Sequence, residues 1–263
     1  MITFRKLGKL GRFGNQLFQY AGTRLYAQQH NFKSAFPEWI GCKIFKTIEP
    51  YTLSEQFRSW FLPTCQLQDL EARPFFKKHL ALALIEKLYQ QPKDNINLYG
   101  YLQDPFSLEQ LHLNQSLVKK WFIFRDDIEE TFQKATKKYI PWIGTHIRRG
   151  DFVKRNKTVP LSLYRDLIKK IKGQHNLYIS SDSSEIKSEM ADLCPIYPEN
   201  PLPSVPQFIF DFWMLFHSKI LLGCGSTFSW WAAYLGNQNQ YFSPPLTHLW
   251  TEGYVPRLDK IEI

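Results

Sequence analysis

The chain has 263 residues, 44% hydrophobic and 16% aromatic, with 33 basic against 24 acidic side chains for a formal charge of +9. That length supports one large or two modest domains, each able to bury a core. No run approaches the roughly 20 uncharged apolar residues that a membrane-spanning helix requires, so none is expected. The excess positive charge draws anions such as nucleic acid, nucleotide sugars or acidic lipid headgroups, without choosing among them.

Met1 to Lys6 lacks the apolar core of a signal peptide. A short strand over Ile2 to Leu7 meets a turn with glycines at 8, 11 and 14, and a helix follows from Asn15 to about Gln29. Its apolar positions Leu17, Phe18, Ala21, Leu25 and Ala27 approximate a 3.6-residue period. Residues 35–135 are mixed, with helical patterns near 76–90 and 126–138. The apolar run Leu80 to Ile85 lies between charged pairs and reads as part of an amphipathic helix. Cys42, Cys65, Cys194 and Cys224 form no C-x-x-C pair and no zinc-finger spacing. They read as buried reduced thiols, which fits a cytosolic compartment.

The second half alternates regularly. Strands are expected at Ile140 to Ile147, Asn176 to Ser180, Pro195 to Tyr197, Ile220 to Leu222 and Gln240 to Ser243. Helices are expected at Leu161 to Lys172 (stopped by Gly173), from Ser183, over 206–217 and from Phe228 to Leu235 (stopped by Gly236). Strands alternating with helices predict an α/β, doubly wound parallel sheet. Ligands of such sheets bind beyond the carboxyl ends of the strands, so the residues there carry the chemistry.

The first strand-end loop is His146-Ile147-Arg148-Arg149-Gly150-Asp151. Guanidinium forks suit diphosphate oxygens and keep their charge at any working pH. Asp151 could orient an arginine or act as a base; the plainer reading is a surface ion pair. The second loop, Ser180-Ser181-Asp182-Ser183, offers an aspartate that could accept from a ribose or guanine, or simply cap a helix. In the third, Gly223 to Trp231, glycines allow close backbone approach and a helix then opens on Ser226, Thr227 and Phe228, a natural anion site. A fourth candidate is Gly8 to Gln16, with Arg12, Gly14 and Asn15 where the first helix starts. It is neither G-x-G-x-x-G nor a P-loop, which weakens dehydrogenase and ATPase readings.

Taken together, G-R-F-G-N-Q-L-F-Q-Y-A at 11–21, H-I-R-R-G-D at 146–151, Y-I-S-S-D at 178–182 and G-S-T-F-S-W-W-A-A at 225–233 resemble the α1,2/α1,6/protein-O-fucosyltransferase superfamily. The last motif and F-Q-Y-A look most like the α1,2-fucosyltransferases of glycosyltransferase family 11. G-R-F-G-N-Q is closer to protein O-fucosyltransferases. The resemblance implies a GT-B-like fold of two Rossmann-type lobes: an acceptor-side lobe over 1–138 and a nucleotide-sugar lobe over 139–263 that holds GDP-fucose. It implies that Arg148 contacts the β-phosphate, His146 lies near the nucleotide, and Arg149 and Asp151 complete that loop. Asp182 would support the nucleotide, and Ser226, Thr227 and Phe228 would cradle the pyrophosphate. From the first lobe, Arg12, Gly14 and Asn15 would serve the sugar and acceptor side.

Members of the superfamily invert the anomeric carbon and need neither a divalent metal nor a cofactor. No D-x-D pair is apparent here. Asp151 and Glu38 are the candidate bases. The expected acceptor is an oligosaccharide or glycolipid, and the expected place is the cytoplasm, with possible contact at the inner face of the membrane. Rival readings are a nucleic-acid-binding protein, a transferase using another nucleotide sugar, and a non-catalytic glycan-binding relative. Against the first, the basic residues are scattered and no recognition module is visible.

Overall fold

The computed structural model describes residues 1–67, 84–154, 158–238 and 240–242. The chain divides into two compact units, Met1–Arg125 and Asp126–Ile263. The division falls earlier than expected because residues 126–138 pack with the second unit. Their helix α7 (Asp126–Thr136) sends Phe132 edge-on against Phe210 and Trp213, and Glu129 accepts the Trp213 indole N–H at 2.8 Å.

The first unit is built on a parallel sheet with strand order β1 (Ile2–Thr3), β3 (Ile96–Tyr99), β2 (Thr64–Gln66). β1 is shorter than the sequence suggests because the chain leaves the sheet in a turn, with Leu7 N–H bonded to Phe4 O and Leu10 N–H to Lys6 O. The first helix, α1 (Phe13–Gln29), starts two residues before the expected Asn15. All five of its pattern residues are buried, and so are Gln19 and Thr23 on its other faces. It is therefore an enclosed helix and not an amphipathic surface one. Around this core lie α2 (Ile40–Ile44), α3 (Leu53–Trp60), α4 (84–90), α5 (Pro105–Leu113) and α6 (Gln115–Trp121). The remainder of the helix expected at 76–90 lies outside the described residues.

The second unit carries four parallel strands in the order β5 (Asn176–Ser181), β4 (Trp142–Ile147), β6 (Ile220–Leu222), β7 (Gln240–Phe242). Pro141, which has no N–H to give a ladder, precedes β4, so the strand begins at Trp142 and not at Ile140. The strand expected at Pro195 to Tyr197 is reduced to one parallel bridge, Ile196 to Tyr178, on the outer side of β5. Ser243, the expected end of β7, lies outside the described residues. Counting that bridge, the spatial order of successive segments is 3-2-1-4-5, the Rossmann arrangement. The helices are α8 (Gly150–Lys154), α9 (Leu161–Ile171), α10 (Glu185–Glu189), α11 (Gln207–Phe216) and α12 (Thr227–Leu235).

β4 is buried along its full length and packs against Leu167, Ile168, Leu177, Ile179 and Leu222 in one apolar core. Gly144 is where α11 comes close to the sheet: a Cβ there would lie 2.9 Å from Ser218 and 3.2 Å from Leu215. Among the described residues no helix is long and apolar enough to cross a membrane. Of the cysteines expected to be buried, only Cys224 is; Cys42 and Cys65 are half-buried and Cys194 is exposed.

Candidate active site

In a 3-2-1-4-5 sheet the strand order reverses beside the first strand, which opens a crevice at the carboxyl ends of the two strands that flank the reversal. Here those strands are β4 and β6. The loop after β4 carries Arg148 and Arg149, and the turn after β6 carries Ser226. Register places His146 beside Ser180 and Thr145 beside Leu222, so the strand ends lie level at one edge.

Three side chains tie these loops together from beneath. His146 is 5% exposed, and its Nδ1 lies 3.1 Å from Ser226 Oγ and 3.3 Å from Cys224 Sγ. Burial opposes a charged ring, but the Cys224 sulfur beside it, with Asp182 and Asp211 nearby, leaves the His146 pKa raised. Tyr164 on α9 donates its hydroxyl between the carbonyls of His146 (3.3 Å) and Gly223 (3.1 Å), which pins the end of β4 to the end of β6. Asp211 on α11 accepts from Tyr178 (2.8 Å), Ser180 (3.2 Å) and Gln207 (2.7 Å), which fixes β5. Burial and this carboxylate hold the Tyr178 phenol well above its ordinary pKa, so it stays a donor.

Above them sits a charge cluster. Asp182 grips the loop after β4 with both oxygens: Oδ1 accepts the Arg149 backbone N–H at 2.8 Å, and Oδ2 meets Arg148 Nη1 at 2.9 Å. Asp151 takes Arg148 from the other side, through Nε at 3.1 Å and through Nη2. Three of the five N–H groups of Arg148 are thus spent on carboxylates, and an edge of the guanidinium is left over. The Arg149 side chain meets no carboxylate among the described residues, whereas Arg148 meets two. Gly150 leaves room for this grip, because a Cβ there would lie 2.4 Å from Asp182 Oδ2.

The turn after β6 is shaped for close approach. Gly225 takes a left-handed φ of 69°, and Ser226 caps α12 by accepting the Ser229 N–H at 3.3 Å. Thr227 and Phe228 form the first turn of the helix, where backbone N–H groups point outward by construction. The Phe228 ring packs 5.1 Å from His146 and 5.3 Å from Phe212.

The structure thus gathers His146, Arg148, Arg149, Asp151, Asp182, Ser226, Thr227 and Phe228 at one sheet edge. Gly14 and Asn15 belong to the first unit. There Gly14 is buried in the first turn of α1, and Asn15 Oδ1 accepts from Gln103 at 2.9 Å just beyond the end of β3. Arg12 is the N-cap residue of α1 and Glu38 is exposed on the same unit. Among the described residues no cluster of side chains could hold a metal ion. Tyr164, Cys224 and Asp211 were missed by sequence reasoning. Asp211 had a signal: it is the one acid in the apolar helix Gln207–Phe216, and a carboxylate in such a helix needs buried partners.

Two α/β units, each built on a parallel sheet, the second with Rossmann order and polar loops at its reversal point, define a GT-B-like α/β protein. Solved structures bear out that fold. The chain is similar to fucosyltransferase NodZ from Bradyrhizobium, with a TM-score of 0.64 at 14% identity over 93% of this chain and 95% of that one. It is similar to NodZ alpha-1,6-fucosyltransferase soaked with GDP-fucose, with a TM-score of 0.61 at 15% identity over 94% and 95%. It is also similar to POFUT1 in complex with GDP-fucose, with a TM-score of 0.55 at 13% identity over 92% and 97%. No family model and no curated protein sequence matches the chain.

Proposed function

We propose that the chain is an inverting, metal-independent glycosyltransferase that moves fucose from GDP-fucose to a glycan hydroxyl, forming an α1,2 linkage to galactose. The observation that carries this reading is the arrangement at the reversal point: two arginines and a helix N-terminus at adjacent strand ends, joined through His146, Tyr164 and Asp182. Its support from fold is that POFUT1, with the same architecture, was solved in complex with GDP-fucose. The linkage rests on the sequence motifs. The solved neighbours are an α-1,6-fucosyltransferase and POFUT1, which makes another glycan linkage or a protein hydroxyl the second reading.

In this reading the acceptor oxygen attacks the anomeric carbon while the bond from that carbon to the β-phosphate oxygen breaks. GDP leaves with the electron pair. Negative charge builds on the diphosphate, where the remaining edge of Arg148, the first N–H groups of α12 and the charge of Arg149 would stabilise it. Asp182 and Asp151 hold the arginine plane in place before substrate arrives, so little reorganisation accompanies the reaction. The acceptor proton goes to Asp151 or to solvent.

The test is binding followed by turnover. GDP raises the melting temperature and UDP does not, because a ligand that binds only the folded state stabilises by mass action. A panel of nucleotide sugars and glycans, scored by released nucleotide, then shows GDP release from GDP-fucose that is indifferent to chelator. Stabilisation by UDP, or turnover that stops with chelator, overturns the reading. A nucleic-acid binder would instead bind a duplex with an affinity falling steeply with salt.

A further inference from the structure

The charge of the chain is unevenly placed. Residues 1–125 hold 17 basic and nine acidic side chains, whereas residues 126–263 hold 16 and 15. The formal excess is therefore +8 in the first unit and +1 in the second, so it is not concentrated where an anionic nucleotide would bind.

The first unit also carries an anomaly on α3. Leu53, Phe57, Trp60 and Phe61 fall at i, i+4, i+7 and i+8 and are 86%, 60%, 62% and 72% exposed. The rings of Phe57, Trp60 and Phe61 gather into a surface cluster, 5.1 Å from Phe57 to Phe61 and 6.0 Å from Phe57 to Trp60. Meanwhile Ser59, on the opposite side of the helix, is buried against the unit. An amphipathic helix that turns its aromatic face outward is inverted relative to a globular surface helix. Immediately beside it lies a cavity of about 380 Å³, lined by Arg5, Lys9, Tyr51, Gln56 and Trp60 among others, with Glu38 as its one acidic residue. The helix is capped firmly by a reciprocal Thr52–Glu55 capping box, so the ridge is presented on a fixed element.

We propose that this face docks on an anionic bilayer surface: the aromatic ridge enters the boundary between headgroups and acyl chains, and lipid phosphates lie over the basic cavity beside it. Trp and Phe at a membrane interface, joined to a cationic surround, are the combination that holds peripheral proteins on acidic lipids. The charge asymmetry supplies the complementarity.

The assay is co-flotation of the full chain with vesicles of phosphatidylcholine alone or mixed with phosphatidylglycerol. Binding is expected to the mixed vesicles, to weaken with added salt, and to be slight on neutral ones. The triple substitution Phe57→Ser, Trp60→Ser, Phe61→Ser abolishes flotation while the melting temperature holds, since these rings are already in water. Should the triple variant fold poorly, Lys9→Glu, at an exposed residue, serves instead and weakens binding roughly tenfold. The proposal fails if the wild-type chain stays with the unbound fraction, or if the variants float as well as it does. It also fails if sedimentation shows a dimer that the triple variant dissociates, because the face would then belong to a second copy. These readouts require neither nucleotide nor sugar and stand apart from the donor-site reading.

Discussion

Two junctions where a strand passes through glycines into a helix, residues 8–16 and 223–229, look alike in sequence but are secured differently. Each places a glycine at left-handed φ, Gly11 at 74° and Gly225 at 69°. In the first unit the junction is closed largely by side chains from its own helix. Gln16 and Gln19 donate to the carbonyls of Gly11 and Leu10, and Asn15 folds over Gly11 so closely that a Cβ there would lie 2.5 Å from its amide nitrogen. In the second unit the junction is braced from other elements: His146 reaches Ser226 from β4, and Tyr164 reaches Gly223 from α9. A self-closed turn is a stable piece of scaffold. A turn braced by its neighbours has its position set relative to them, which is what a site assembled from several loops requires.

The sharpest way to break this contrast is at Arg148. Arg148→Ala removes the group that joins Asp151 and Asp182 and faces the crevice. Loss of one preorganised donor of this kind costs about 3–4 kcal/mol of barrier, or roughly 10²–10³-fold in rate. The expected result is near-complete loss of GDP release from GDP-fucose in a folded protein, with little rescue by Arg148→Lys, since lysine cannot reach two carboxylates with a planar fork. Near-normal turnover in the alanine variant ends the assignment.

Gly150→Ala probes the same loop without touching an ion pair directly. The added methyl would lie 2.4 Å from Asp182 Oδ2, so the carboxylate swings away and releases Arg148 Nη1. A charge-assisted bond is worth about 1.5–3 kcal/mol, so turnover should fall roughly tenfold to a hundredfold. Steady-state rates and circular dichroism on the same sample separate this from unfolding. An unchanged rate would mean that the grip of Asp182 is incidental.

Gly11→Ala is the counterpart in the first unit. It forces an L residue to φ 74° and pushes Asn15 off Gln103, at a cost of about 1–3 kcal/mol in stability. Urea unfolding should show that loss while GDP still raises the melting temperature of the variant as much as that of the wild type. If GDP stabilisation disappears with it, the first junction takes part in holding the donor and the contrast drawn here is wrong.

How much of this was legible in the sequence follows from range. The order of elements in the second unit, and the strand-end loops, were readable because hydrophobic runs, glycines and capping residues act within a few positions. Asp211 and Tyr164 were not, since their partners at the strands are 31–33 and 18–59 residues away and are chosen by how α11 and α9 lie on the sheet. The unit boundary was misplaced for the same reason: α7 has an amphipathic pattern in sequence, and only its contacts with Phe210 and Trp213 reveal which core it serves. The strand at Ile196 shrank to a bridge because the two residues between Pro195 and Pro198 offer little ladder to form.

The smallest expected effect isolates the brace itself. Ser226 does two things at once: its Oγ caps α12 through the Ser229 N–H and meets His146 Nδ1. Ser226→Ala removes both, and the lost cap alone costs about 1 kcal/mol of stability. Ser226→Asn restores a capping oxygen on a differently shaped side chain that cannot reproduce the short hydroxyl contact with His146. If the turn is only scaffold, the asparagine variant recovers both stability and GDP stabilisation. If its position against β4 matters for the nucleotide, stability returns while the GDP-induced rise in melting temperature stays below that of the wild type. The second outcome is the expected one, because the His146 contact, and not the cap, relates the start of α12 to the arginine loop.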